Sequence, residues 1–136
     1  MDKKEILAFI AKNPVSFVGT VDDNKARVRG METFRADENG LIFYTSKVKN
    51  VFKQIEKNRE VEVCYFADGL QVRVRGTMEI VEDLALKKEI VEQRPFLKPI
   101  YEATGNYDGM AVLRLKGKAT TWSMQDMAAP QTFVDL

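Results

Sequence analysis

The sequence predicts a mainly antiparallel β-sheet curled into a barrel, with helices at its periphery. Two observations carry that prediction. Extended segments meet through hairpin turns such as "DDNK" (22–25) and "ADG" (67–69), and helical segments fall between them without any repeated strand-helix-strand unit. A third observation sets the scale: 136 residues with 45% hydrophobic content suffice for one core and not for two, so residues 1–136 read as a single domain.

Each element follows from local pattern. Ile6, Leu7, Ile10 and Ala11 share one face of a short opening helix, which stops at Asn13 because Pro14 disfavours helical geometry in the residue before it. "VSFVGTV" (15–21) is β-branched and aromatic, and "ARVRGMETFRA" (26–36) resumes an extended pattern after the turn, which makes a hairpin. "DENG" (37–40) turns the chain into a third strand, "LIFYTS" (41–46). There the period changes. Val48, Val51, Phe52 and Ile55 are spaced i, i+3, i+4, i+7 and predict a helix beginning after Ser46. Period two returns in "EVEVCYF" (60–66) and "LQVRVRGTMEIV" (70–81), where Val72, Val74, Met78 and Ile80 share one face and Gln71, Arg73, Arg75, Thr77 and Glu79 the other. "EDLALKKEIVEQR" (82–94) is helical until Pro95 stops it, and "TGNYDG" (104–109) leads to a last long strand, "MAVLRLKGKATTW" (110–122), with Gly117 as a bulge. "MQDMAAPQTFVDL" (124–136) loses strand pattern and reads as an arm.

Composition excludes several function classes. The 21 basic and 20 acidic side chains nearly cancel, so no global field argues for nucleic acid or an anionic membrane. The single cysteine, Cys64, and the absence of histidine remove a disulfide framework, most zinc sites and every imidazole-dependent triad. Cys64 lies mid-strand without a base and reads as a packed residue. No apolar run is long enough to span a bilayer and the first residues alternate charge with hydrophobe, so the expected compartment is the cytoplasm. No glycine-rich dinucleotide or phosphate loop occurs.

What remains is a local anion site. Where a strand ends in Thr45-Ser46 and a helix starts, backbone N–H groups lack partners and the dipole is positive. Lys47, Lys49 and Lys53 crowd this end, although cations ordinarily favour the other end of a helix. Arg27 and Arg29 present two guanidiniums on one face of their strand. A plainer reading stands beside this one: Ser46 as an ordinary N-cap, the lysines as solvated surface, and the arginines paired with Glu32, Glu60 or Glu62.

Three blocks, "FVGTVDDNKARVRGMETF", "GLIFYTSKVKNVFKQIEKNREVEVCYF" and "LQVRVRGTMEIVED", resemble in order and spacing the pyridoxamine 5'-phosphate oxidase-like FMN-binding split-barrel family, over residues 6 to 122. The resemblance implies a six-stranded split β-barrel, a homodimer, and FMN at the subunit interface. It implies that Arg27, Arg29, Tyr44, Thr45 and Ser46 hold the phosphate and ribityl chain, with Lys47, Lys49, Asn50 and Lys53 as candidates on the helix. The ring would rest on backbone from Val28 to Met31, approached from the partner chain by Gln71 and Trp122.

Two departures bear on the reaction. The family's pyridoxamine phosphate oxidases use histidine and basic substrate contacts in a longer C-terminal region, and here there is no histidine; their phosphate helix opens serine-arginine-lysine, whereas this one reads Lys49-Asn50-Val51. The vitamin B6 reaction is therefore not the expected one. The expectation is an oxidoreductase passing electrons from a reduced nicotinamide donor to a small-molecule acceptor, with no side chain needed as acid or base and no metal. The alternative is a non-catalytic protein that holds flavin, haem or deazaflavin. Nucleic acid is not an expected partner, because the basic strands lack interleaved aromatic stacking residues.

Overall fold

The computed structural model describes residues 1–136. One antiparallel sheet contains β1 (Val15–Asp22), β2 (Lys25–Glu32), β3 (Arg35–Asp37), β4 (Gly40–Ser46), β5 (Glu60–Ala67), β6 (Leu70–Val81), β7 (Met110–Ser123) and β8 (Val134–Asp135). Helices α1 (Lys3–Lys12), α2 (Asn50–Lys57) and α3 (Leu84–Gln93) surround it. The strand order is β2-β1-β5-β6-β7-β4-β3, with β8 on β7.

That order explains the curl. The two outermost strands, β2 and β3, are joined through Thr33 and Phe34 alone, a link that reaches about 10 Å at full extension. The sheet must therefore bend until its edges meet. The link touches both edges: Thr33 N–H donates to the Pro14 carbonyl at 2.8 Å beside β1, and Phe34 N–H to the Ile42 carbonyl of β4 at 2.7 Å. The result is a barrel split along a seam between β2 and β4.

The count of eight strands corrects the expected six. The extended run 26–36 changes sheet partner at Thr33-Phe34 and becomes β2 and β3, and the arm contains β8, where Val134 and the following Leu136 pack on the core. Gly117 is not a bulge. It sits in unbroken register opposite Gly76, where a Cβ would lie 2.2 Å from the Arg75 carbonyl oxygen, so glycine serves close strand approach.

Alternation places Val18, Val63, Tyr65, Val72, Val74 and Leu113 inside the barrel, with Ile6 and Ile10 of α1 and Val51 and Ile55 of α2 packed into the same core. A second, smaller core forms outside, where α3 lays Ile90 and Val91 over Ile42 and Val112 of β4 and β7. Both two-residue hairpin turns use left-handed backbone, at Asp23-Asn24 and Asp68-Gly69, as their composition predicts. No helix is long and apolar enough to cross a membrane.

Candidate cofactor-binding site

The hairpin register places Arg27 opposite Thr20 and Arg29 opposite Val18, so both guanidiniums rise from the side of β2 that faces the seam. Arg29 folds back over β1. Its Nη1 donates to the Val18 carbonyl at 3.0 Å and the Thr20 hydroxyl at 2.8 Å, and its Nη2 donates to Gln54 Oε1 on α2. The Thr20 hydroxyl donates to the same Gln54 oxygen at 2.7 Å. Every acceptor is neutral. Partial burial pushes the Arg29 pKa down from its usual value, yet a guanidinium stays charged at working pH, so this charge has no carboxylate to balance it.

The glutamates that could have paired with these arginines are committed elsewhere. Glu32 accepts from Arg94 Nε at 3.0 Å, Glu60 accepts from the Thr77 hydroxyl at 2.9 Å, and Glu62 lies 3.8 Å from Arg73. Arg27 has only Asp22, at 3.6 Å.

The helix start differs from the expected one. After Ser46 the chain makes a turn in which Lys49 N–H donates to the Ser46 carbonyl at 3.1 Å and Val48 N–H to Ser46 Oγ at 3.3 Å. Ser46 therefore closes a turn, and Lys49, which has no side-chain acceptor, occupies the N-cap position. Val48 matched the helical spacing yet is 78% exposed. The N–H groups of Asn50, Val51 and Phe52 donate to no protein acceptor, and no acid stands in the first turn. The positive end of α2 thus opens beside the two arginines without a negative group of its own.

Two hollows flank Arg29. One, of about 210 Å³, is lined by Arg29, Gly30, Met31, Tyr44, Thr45 and Lys49, together with Glu32 and Val51. The other, of about 260 Å³, is lined by Asp22, Arg27, Asn50, Lys53, Gln54 and Lys57. Arg27, Arg29, Tyr44, Thr45, Lys49, Asn50 and Lys53 therefore gather around one corner. Thr45 is buried there, and burial, with Glu32 nearby, raises the Tyr44 pKa against the opposing charge of Arg94.

Four expected positions stand apart. Val28 points to the opposite face of β2 and is exposed, and Lys47 turns to Glu82, with Nζ 3.1 Å from the carboxylate. Gln71 and Trp122 pair with each other across β6 and β7, three and four strands from β2, or roughly 14–19 Å at ordinary strand spacing. Within one chain they do not meet the arginines. The corner also contains residues that were not expected: Thr20, Asp22, Gln54 and Lys57. Gln54 follows Asn50 by one helical turn, and Thr20 lies opposite Arg27 once a two-residue turn is assumed, so both positions were open to inference.

The profile of the pyridoxamine 5'-phosphate oxidase family matches residues 2–124. The chain belongs to that family. It is a fold family known for flavin-binding oxidoreductases. A NimC/NimA family protein from Clostridium acetobutylicum is similar over 98% of this chain and 92% of that one, at 25% identity and a TM-score of 0.78. General stress protein 26 from Bacillus anthracis strain Sterne aligns over 98% of both chains at 19% identity and a TM-score of 0.72, which supports the fold. A search of curated proteins found no match. As a family member the chain has its split barrel in place, and the seam corner is where that barrel concentrates unbalanced positive charge.

Proposed function

We propose that the protein binds FMN at the β2–α2 corner and works as a homodimeric oxidoreductase, taking electrons from a reduced nicotinamide and passing them to a small-molecule acceptor. One observation carries the reading: Arg27, Arg29, Lys49 and Lys53 gather about the open N-terminal end of α2, with Lys57 at the far end of the helix, and Asp22 is the only carboxylate paired with any of them. A phosphate dianion would satisfy both the charges and the amides.

Each element then has a task. Arg27, Lys53 and the start of α2 offer donors to a phosphate, Thr45 and Lys49 border the adjoining hollow where a ribityl chain would lie, and Gly30 keeps the β2 backbone open to a flat ring. Gln54 holds Arg29 in place, so the corner is ordered before any ligand arrives. The flavin, when bound, supplies the electron transfer.

The dimer is supported by the outer face of the same strands. Val15 and Phe17 of β1, Val28 of β2 and Phe66 of β5 lie on one side of the sheet and are 68%, 55%, 71% and 55% exposed. A contiguous apolar face of this kind fits a second copy of the chain. It would also bring the partner's Gln71 and Trp122 toward the corner.

Adding FMN to the purified protein tests the reading. A stoichiometric flavin absorption band that NADH or NADPH bleaches, in a species of dimer mass, is expected. Absence of the band refutes the site, and a band that neither nucleotide bleaches leaves a flavin-holding protein instead of an enzyme.

A further inference from the structure

Gln54 stands where a carboxylate would balance Arg29, and its hydrogen bonds fix which way its amide faces. A guanidinium can only donate, so the Gln54 atom against Arg29 Nη2 is the oxygen. The Thr20 hydroxyl accepts from Arg29 Nη1 at 2.8 Å and therefore donates its own O–H to that same oxygen, at 2.7 Å. Two donors fill both lone pairs of the Gln54 carbonyl, and the amide nitrogen lies on the other side. Nε2 bonds to no protein acceptor and keeps access to solvent. Gln54 lines the hollow of about 260 Å³ that contains Arg27, Asn50 and Lys53, whereas Arg29 borders the other hollow. The oxygen thus turns to the arginine, and the NH2 group is left for whatever enters beside Arg27 and Lys53.

A glutamate here would make the same two bonds and would also close the corner, by pairing with Arg29 and by presenting a second anionic oxygen to the hollow. Glutamine leaves the guanidinium charge uncompensated and offers donors in place of that oxygen. Three cations, Arg27, Lys53 and Lys57, and one carboxylate, Asp22, line the hollow. A phosphate monoester, with close to two negative charges and oxygens that only accept, matches both the charge excess and the exposed NH2 group. We infer that Gln54 sets the selectivity of the corner for phosphate: its oxygen aims Arg29, and its Nε2 donates to a phosphate oxygen beside Arg27 and Lys53. That the phosphate belongs to a flavin rests on the flavin reading. That Gln54 donates to an anion does not.

Riboflavin is FMN without its phosphate, so the two ligands together isolate the contact. Gln54→Glu should weaken FMN by more than about tenfold and riboflavin by no more than about twofold, because only the phosphate meets the new charge. Its thermal midpoint should not fall, since the carboxylate pairs with Arg29. In the wild-type protein the Gln54 side-chain NH2 resonances, assigned by their loss in Gln54→Met, should shift saturably when FMN or inorganic phosphate is added. Unchanged FMN affinity in Gln54→Glu, or equal weakening of FMN and riboflavin, would overturn the proposal. If FMN fails to bind while inorganic phosphate still moves the Gln54 resonances, the contact stands and the flavin reading falls. If neither ligand moves them, the contact falls whether or not FMN binds.

Discussion

Two basic clusters in this barrel have similar content and opposite environments. Near α3, Arg35 forks onto both oxygens of Glu89, Arg94 bonds Glu32, Arg114 meets Glu79 at 3.5 Å, and Lys87 meets Glu82 at 3.0 Å. At the β2–α2 corner, Arg29 has only neutral acceptors, Arg27 has one carboxylate at 3.6 Å, and Lys49, Lys53 and Lys57 have none. In the first cluster each of these cations has a carboxylate partner, although Arg114 Nε is buried without an acceptor, and in the second Asp22 is the only carboxylate paired with any of five cations. Pairing, and not the number of arginines, is what separates a structural network from a place prepared for a ligand.

The strongest way to break that comparison is to remove charge from the second cluster. Replacing Arg27 and Lys49 together by alanine should weaken FMN binding by more than about tenfold, since each charge-assisted contact is worth roughly 1.5–3 kcal/mol. Neither residue packs in the core, so the thermal unfolding midpoint should hold. Flavin fluorescence titration measures the first and calorimetry the second. Unchanged affinity would place the phosphate elsewhere.

The first cluster should show the reverse pattern. Lys87 has a side chain only 3% exposed and depends on Glu82 for its counter-charge. Glu82→Gln should cost about 1–3 kcal/mol in urea unfolding, the usual penalty for stranding a buried polar partner, and leave FMN affinity alone. Arg35→Ala should cost less, about 0.5–1 kcal/mol, because both partners in that pair are more than a third exposed and water screens them. A loss of FMN affinity in either variant would show that the two clusters are not separate.

The sequence made most of the barrel legible and only part of the corner. Period-two alternation is clean in β1 and β5, where one face is buried, whereas β4 is buried on both faces and β2 on neither; Asp-Gly and Asp-Asn turns located the hairpins. The break of 26–36 into β2 and β3 escaped because the chain stays extended through Thr33; what changes is its hydrogen-bond partner, and Thr33 is held by a buried bond to Tyr65 at 2.6 Å that no local pattern encodes. β8 is two residues long, below the length at which alternation can be seen. Val48 fitted the helical spacing by chance of position, because apolar periodicity does not register a turn that precedes the helix. The arginine pair was legible as charge on one strand face, whereas the Gln54 that orients Arg29 comes from a helix 25 positions away.

Lys47 gives the smallest and most exact test, because sequence places it with the corner and the fold places it with the other cluster. Both Lys87 and Lys47 donate to Glu82, and these bonds hold its carboxyl below the usual range despite a small opposing effect of burial. A carboxyl whose folded pKa lies below its unfolded value, about 4.3 for glutamate, adds stability that is present above the unfolded pKa and lost as pH falls through the folded one. The wild-type protein should therefore lose stability toward acid more steeply than Glu82→Gln, and the gap between them should close as pH drops. Lys47→Ala removes one of the two donors and should remove part of that acid dependence, with the larger part remaining on Lys87. If acid unfolding of Lys47→Ala matches the wild type, Lys47 does not belong to the Glu82 network in solution and is free to turn back toward the corner where its sequence neighbours lie.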